Sequence, residues 1–220
     1  MKDEPDSEGP DPERRAKPFN YSVVVGIVFV LVIAVAAINA LRTTDSGTVG
    51  LGDVLLGEKV KPFAVPIATS HLEGDANVDP KQACLVEGRG VLRICDYFDR
   101  PLVMSWWFTK GASGCIAQQD IFDDVAAKYK DRAGFVSINV RDSRDRLRQL
   151  IEEHDWKVKV GHDADGAASN IYRIGGCPTF LFVRPGGVLE HAEIGDRSFE
   201  ELDSQVRSFL NSDGKKVKTG

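Results

Sequence analysis

The sequence predicts an α/β domain, a three-layer sandwich in which helices cover both faces of a mixed β-sheet, preceded by a single transmembrane helix. Two observations support this prediction. From residue 101 onward, apolar runs of strand length alternate with segments whose apolar residues recur at helical spacing. Near the N-terminus, an uncharged apolar run extends from Tyr21 to Leu41 and follows a highly charged segment. The chain is therefore expected to combine one membrane span with one folded domain.

The overall composition is that of a chain with a folded core. Hydrophobic residues make up 42% of the 220 residues and charged residues 28%, which excludes wholesale disorder and collagen-like structure. The 28 basic and 33 acidic residues give a net charge of −5, and no basic run is interleaved with aromatic residues. The sequence therefore predicts that nucleic acid is not a partner.

The apolar run 21–41 predicts a membrane-spanning helix. Its 21 residues carry no charge, and at the helical rise they would extend roughly 31 Å, close to the ~30 Å hydrocarbon thickness of a bilayer. A secretory signal peptide is the alternative, because the small residues at 34–36 are compatible with cleavage. An uncleaved anchor is favoured, because the apolar core of a signal peptide is typically only about 7 to 15 residues long.

The charges beside this run predict its orientation. Arg14, Arg15 and Lys17 precede the span, whereas only Arg42 follows it closely. Since basic residues favour the cytoplasmic side, the N-terminus is expected in the cytoplasm and the part of the chain after the span outside it. The sequence thus predicts a single-pass protein of the cell membrane. The predicted parts are a disordered cytoplasmic tail (1–20), the transmembrane helix (21–41), a Gly-rich linker (42–61), an extracytoplasmic domain (62–212) and a flexible C-terminal tail (213–220).

The first half of the domain has the pattern of a βαβ unit. An apolar run of strand length at 101–108 ends in the small, turn-forming residues of 109–114. Ile121, Phe122, Val125 and Tyr129 then recur at helical spacing and predict a helix over 115–131. A strand, a second helix and a short strand are predicted to follow, over 134–140, 143–154 and 158–160.

The second half of the domain has the pattern ββα. A short helix is predicted over 167–172, before the strands of a β-hairpin at 179–183 and 188–194. Pro and Gly lie at the central positions of the turn between these strands. Phe199, Leu202 and Val206 then fall on one face of a predicted final helix, 199–210. The order of elements implies helices on both faces of a mixed sheet.

Several short motifs in this domain match a known family. In chain order they are PFAVP at 62–66, WWFT at 106–109, a Cys at the start of the next helix, HDADG at 162–166, CPT at 177–179 and FLFVRPGG at 180–187. Over roughly 62–210 the chain resembles the bacterial membrane-anchored thioredoxins of the TlpA/ResA type and, more broadly, the redoxin (AhpC/TSA) group that includes peroxiredoxins. The resemblance implies a thioredoxin-like sandwich and cysteine chemistry.

The sequence departs from this family at the active site. The family usually carries Cys-x-x-Cys, and no such motif occurs here. In the family the second Cys precedes a helix-ending Tyr by fourteen residues, which is also the separation of Cys115 and Tyr129. Cys115 therefore takes the second, normally resolving, position. Ala112 stands where the attacking Cys would be, and the loop from Trp107 to Cys115 is one residue longer than in the family.

A different cysteine pair is predicted to replace the motif. Cys115 lies in the first turn of a helix, where the positive end of the helix dipole favours a thiolate. The resemblance implies that the peptide before Pro178 is cis and that Cys177 packs against the start of that helix. Cys115 is thus expected to attack and Cys177 to resolve, unless both are inert buried residues. The residues expected to contact substrate are Trp107, Lys110, Pro178 and Thr179.

The other two cysteines are expected to form a structural disulfide. Four cysteines allow three pairings, and in an oxidising exterior compartment we favour Cys84 with Cys95, which would close the insertion before the 101–108 strand. Their spacing is not that of a zinc site, and the four His residues are not spaced for metal binding either. The sequence predicts neither a metal nor a cofactor.

Three functions remain open from the sequence. The first is a membrane-tethered extracytoplasmic thiol-disulfide oxidoreductase or redox-sensing protein, acting on protein or small thiols through Cys115 and Cys177, with an electron donor that the sequence does not identify. The second is a peroxiredoxin-like peroxidase at Cys115, although Ala112 replaces the Thr that the resemblance would require there. The third is a thioredoxin-fold module that binds partners without catalysis.

Overall fold

The computed structural model describes Val25, residues 27–34, 56–110 and 114–212. The predicted tails 1–20 and 213–220, most of the predicted span and most of the linker lie outside these residues. The described part of the span, 27–34, is helical, and its large apolar side chains are more than half exposed. Within the described residues, no helix is both long enough and apolar enough to cross a membrane.

A five-stranded mixed sheet forms the centre of the domain. The strand order is β5-β4-β3-β6-β7. The first three strands of this order are mutually parallel, while β6 runs antiparallel to both β3 and β7. The strands are β3 (Leu102–Trp107), β4 (Gly134–Val140), β5 (Lys159–Asp163), β6 (Thr179–Arg184) and β7 (Val188–Ile194). The predicted βαβ and ββα patterns are confirmed, and most of the predicted helix and strand ends lie within two residues of the observed ones.

Three helices connect these strands and a fourth follows the last strand, with ends set by local chemistry. They are α1 (Gly114–Tyr129), α2 (Arg144–His154), α3 (Ala167–Ile171) and α4 (Phe199–Asn211). The Ser143 hydroxyl caps α2 by accepting from the amide of Arg146. At α4, Ser198 and Glu201 form a reciprocal capping box. Such side chains bind the amides that the first helical turn leaves without partners.

A small second sheet was not predicted. Ala64–Pro66 (β1) pairs antiparallel with Val91–Arg93 (β2). Each strand has only three residues, too few for an alternating pattern to stand out in the sequence. Residues 57–60, assigned to the linker by sequence, bind the β6–β7 hairpin: the amide of Gly57 donates to Leu189 and that of Val60 to Gly187.

The alternation of side chains along β3 divides the core between two faces. Trp106 faces one layer, where it packs beside Phe63 and Tyr172. Val103, of opposite parity, faces the other layer together with Phe122 of α1 and residues of α4. Because α3 and the small hairpin cover the first face and α1, α2 and α4 cover the second, the predicted three-layer, thioredoxin-like arrangement is confirmed.

A disulfide joins the two short turns that flank β2. Cys84 lies in the 3-10 turn Ala83–Leu85 and Cys95 in the turn Ile94–Tyr97, with their Cα atoms 5.7 Å apart. Cys84 is exposed and Cys95 half-buried. The bond closes a short loop on the surface, which points to a stabilising rather than a catalytic role.

Replacing both of these cysteines by Ser is expected to lower the free energy of unfolding by roughly 3 kcal/mol, the chain-entropy value for closing a loop of this length. Denaturant unfolding of the double variant and of the wild type under oxidising conditions measures this difference. Equal midpoints and slopes for the two proteins would contradict a stabilising role.

A polar contact holds α1 against α4. The hydroxyl of Tyr129 donates to the carboxylate of Asp203 over 2.9 Å, and the ammonium of Lys128 contacts the same oxygen at 2.6 Å. The hydrogen bond and charge of Lys128, and then the bond from Tyr129, lower the pKa of Asp203. The carboxylate is therefore ionised at neutral pH and fixes the end of the helix that begins at Cys115.

Tyr129→Phe is expected to lower the free energy of unfolding by about 1–2 kcal/mol at pH 7, because it removes a hydrogen bond to a buried ionised carboxylate. A carboxylate with a lowered folded-state pKa stabilises the protein above its unfolded pKa and loses that effect as the pH falls through the folded value. Denaturant unfolding between pH 7 and pH 2 should therefore show the difference shrinking on acidification; a difference independent of pH would contradict this account.

Candidate active site

Strand pairing brings Cys115 and Cys177 together. Cys115 is the second residue of α1, reached by the loop that leaves the carboxyl end of β3. Cys177 precedes β6 and is joined to Pro178 by a cis peptide bond. Because β3 and β6 are antiparallel neighbours, with Trp106 opposite Thr179, the end of one strand lies beside the start of the other. The two residues are disulfide-bonded, with Cα atoms 6.1 Å apart.

The two sulfurs of this disulfide have different environments. Cys115 is 3% exposed and packs against Trp107 and Trp156, whereas Cys177 is partly exposed. The Sγ of Cys177 lies 3.7 Å from the carbonyl oxygen of Phe108. The Cys115 sulfur lies at the positive end of α1, which favours the thiolate.

The four predicted substrate contacts differ in position. Lys110 is exposed beside the site. Trp107 and Thr179 are fully buried and Pro178 is buried. The side chains of these three residues lie beneath the surface, and their contact with substrate stays a prediction. Ala112, the position of the missing attacking Cys, lies outside the described residues.

A buried carboxylate, which the sequence analysis missed, organises the loop before α1. Asp142 accepts hydrogen bonds from the amide and hydroxyl of Thr109, at 2.8 and 2.7 Å, and from the side-chain amide of Asn139 at 2.7 Å. The ring Nε2 of His162 donates to the backbone carbonyl of Asp142 over 2.8 Å. These bonds hold Phe108, whose carbonyl contacts Cys177. The signal in the sequence was a pair of polar residues, Asn139 and Asp142, at the end of an apolar strand.

A second buried polar chain lies beneath Cys115. The indole Nε1 of Trp107 donates to the hydroxyl of Ser137 over 2.7 Å, and that hydroxyl donates to the Oε1 of Gln119 over 2.9 Å. Gln119 is one helical turn after Cys115 and is 1% exposed. Buried groups of this kind hold their neighbours in one orientation when they are paired. The chain therefore fixes the indole against which the Cys115 sulfur packs.

The loop after β7 closes the other side of the site. The amide of Gly195 donates to the carbonyl of Pro178 over 3.0 Å, and the amide of Arg197 donates to the side chain of Gln118 over 2.8 Å. These bonds link the cis-proline segment to α1. The two cysteine-bearing segments are thus tied together by backbone contacts as well as by their disulfide.

Acidic and histidine side chains near the site have structural partners. Asp163 accepts from the amides of Ala168 and Ser169 at the start of α3, and burial raises the pKa of its carboxyl group. Asp163 thus satisfies amides of the first turn of α3. Among the residues that the structure describes, no three His, Cys, Asp or Glu side chains are grouped to hold a metal ion.

Two clefts differ in their relation to the cysteines. The larger, about 540 Å³, lies near the amino ends of β4 and β5, and neither Cys115 nor Cys177 lines it. A smaller cleft of about 290 Å³ is lined by Phe108 and Lys110, and neither cysteine lines it directly. It is linked to the cysteine pair through Phe108, whose carbonyl oxygen contacts Cys177.

Comparison with known proteins gives both sequence and structural similarity. No protein-family model matches the chain. The thiol-disulfide oxidoreductase ResA of Oceanobacillus iheyensis is 26% identical over 139 residues, which cover 62% of this chain and 72% of that protein. A thiol:disulfide interchange protein DsbE of Chlorobium tepidum superimposes with a TM-score of 0.56 at 21% identity, over 71% of this chain and 98% of that one.

A DsbF homologue of Corynebacterium diphtheriae also superimposes, with a TM-score of 0.54 at 15% identity, over 69% of this chain and 86% of that one. At these identities the superpositions establish the architecture. Together with the strand order and the cis-proline beside α1, they show that the chain has the thioredoxin fold and is similar to thiol-disulfide oxidoreductases built on it.

Proposed function

We propose that this protein is a thiol-disulfide exchange protein whose redox pair is Cys115 and Cys177. The observation that carries the proposal is the disulfide between them, formed across adjacent strands at the amino end of α1. In Cys-x-x-Cys proteins the redox pair lies within one helical turn. In this protein the two cysteines of the pair are 62 positions apart in the sequence. Similarity to a protein named thiol-disulfide oxidoreductase supports the same chemistry.

The exposure of the two sulfurs favours attack at Cys177. An incoming thiolate forms a bond to the Sγ of Cys177, and the bond to Cys115 breaks with its electron pair leaving on Cys115 as thiolate. The amino end of α1 stabilises this leaving group. In the reverse direction, Cys177 attacks a substrate disulfide and Cys115 resolves the mixed disulfide. This order is the opposite of the roles predicted from sequence, because Cys115 is the more buried of the two.

The cysteine inventory supports an extracytoplasmic location. All four cysteines are paired, and no free cysteine remains. Structural and redox disulfides persist in oxidising compartments and are rare in the cytosol. We infer that the thioredoxin-fold domain acts outside the cytoplasm, where thiols and disulfides of other proteins or of small molecules are available to it.

Membrane tethering is proposed on the sequence of residues 21–41. The run is uncharged and of spanning length, with basic residues concentrated before it. The exposed apolar side chains of 27–34 are consistent with a lipid-facing surface. Such a tether would hold the domain near the membrane surface, with the N-terminus in the cytoplasm.

Variants of the cysteines test the exchange function. Cys177→Ser is expected to abolish reduction of insulin disulfides in the presence of a small dithiol. Cys115→Ser is expected to abolish turnover and to accumulate a mixed disulfide at Cys177, because the resolving thiol is missing. Turbidity measures turnover, and mass spectrometry of acid-quenched samples locates the mixed disulfide.

The matched control is the Cys84→Ser, Cys95→Ser double variant, which should retain wild-type turnover because it lacks only the remote disulfide. Peroxide consumption that depends on Cys115, with no exchange activity, would indicate a peroxidase instead. Activity of the wild type in neither assay would indicate a module that binds without catalysis.

Fractionation of bacterial cells tests the tether. The full chain is expected in the membrane fraction after a carbonate wash, and deletion of residues 1–41 is expected to release the protein into the soluble fraction. Protease added to spheroplasts should digest the domain if it lies outside. Retention of the truncated chain in the membrane, or protection of the full chain from protease, would contradict the proposed topology.

A further inference from the structure

The geometry points to a binding site for the carboxylate of a small acidic thiol in the cleft beside Cys177. We propose that Arg141 and Lys110 hold this carboxylate while the thiolate of the same molecule attacks the Sγ of Cys177. The inference rests on the proposed exchange function and specifies its substrate class.

The cleft is linked to the partly exposed Cys177 through its lining residues. Its walls include Phe108 and Ile174. The carbonyl of Phe108 lies 3.7 Å from the Sγ of Cys177, and Ile174 precedes Cys177 by only three residues. The volume of about 290 Å³ is at the lower end of the range of roughly 300–1,000 Å³ found for small-molecule sites. A small thiol therefore fits this cleft better than a folded protein surface.

The charge of the cleft is positive. Among the residues that the structure describes, the charged side chains that line it are Lys110 and Arg141, and none is acidic. Both are exposed, and among the described residues neither takes part in an ion pair. The nearby carboxylate of Asp142 is occupied by the amide and hydroxyl of Thr109 and by Asn139, and it does not line the cleft. Two cations without a carboxylate partner favour an anionic ligand.

The guanidinium of Arg141 is held in place by its surroundings. Its Nε donates to the carbonyl of Asp165 over 3.1 Å. Within the described part of the chain its terminal nitrogens have no hydrogen-bond partner, and their fork geometry suits a bidentate carboxylate. Arg141 itself has a left-handed backbone, with φ of 60°. A Cβ on Gly166 would lie 2.4 Å from the Nε, so the absence of a side chain there is what admits the guanidinium.

The chemistry consists of two successive thiol-disulfide exchange steps. The substrate thiolate forms a disulfide with Cys177 and displaces Cys115 as thiolate. A second substrate thiolate then attacks the substrate sulfur of the mixed disulfide and displaces Cys177. Two substrate thiolates become one disulfide, and the protein disulfide, which is the oxidant, becomes two thiolates. The cationic cleft acts in the first step by raising the local concentration of the anionic thiolate and orienting it.

Three thiols of similar length test the inference on the detergent-solubilised full chain. They are 3-mercaptopropionate, its neutral isostere 3-mercaptopropionamide, and the cationic cysteamine. The change in fluorescence of Trp107, which packs against Cys115, gives the rate of reduction of the disulfide. Mass spectrometry of quenched samples identifies the sulfur that carries the mixed disulfide. Comparing each variant with the wild type for one thiol at a time cancels the intrinsic reactivity of that thiol.

Arg141→Gln is expected to slow reduction of the disulfide by 3-mercaptopropionate about fivefold at low ionic strength. This is the effect expected from losing one partly exposed contact between opposite charges. The rate with the amide should change by less than about twofold, and the difference should fall in high salt. Lys110→Gln should act in the same direction. The matched controls are Arg132→Gln and Lys130→Gln, which remove the same charges at the far end of α1 and should leave the selectivity unchanged.

The outcomes separate this inference from the function on which it rests. If all three thiols reduce the disulfide but Arg141→Gln slows the acid and the amide equally, the carboxylate site is wrong and the exchange function stands. If none of the thiols reduces the disulfide in the wild type, the exchange function itself fails. If a Cys-containing acidic peptide depends on Arg141 more strongly than 3-mercaptopropionate does, the assignment to small thiols is overturned.

Discussion

The antiparallel pairing of β3 with β6 is the constraint on which the site depends. It places the carboxyl end of β3, which leads into α1, beside the cis-proline segment that begins β6. No local motif could bring together two cysteines separated by 62 residues. A central pair of strands, covered on both faces by buried aromatic side chains, has little freedom to shift its register. The distance between Cys115 and Cys177 is therefore a property of the sheet.

Buried polar groups refine what the sheet positions. Asp142 binds the loop after β3, and the loop in turn supplies the carbonyl that lies against Cys177. On the other side of the disulfide, Ser137 and Gln119 hold the indole of Trp107 against Cys115. The two cysteines consequently differ in exposure. In the proposed exchange this asymmetry sets the direction of attack, with the partly exposed Cys177 accepting the nucleophile and the buried Cys115 leaving.

Much of the fold could be predicted because its signals are local. The alternation of apolar runs and helical spacings predicted β4 and β7 with the bounds that the structure shows, and the other long elements within a few residues. The hairpin of β1 and β2 was missed because strands of three residues carry no recognisable period. At the site, residue types indicated cysteine chemistry, whereas the full burial of the Trp107 and Thr179 side chains could not be read from residue type.

By itself, the sequence determined that the chain would form a mixed, two-sided sheet, that Cys-x-x-Cys is absent and that four cysteines remain, since periodicity and composition are local properties. The tertiary structure decided which of those cysteines meet, which sulfur is exposed and which cations line the cleft beside it. These features follow from strand pairing across distant parts of the chain. They follow also from backbone conformations, such as that of Arg141, which arise only when the surrounding packing enforces them.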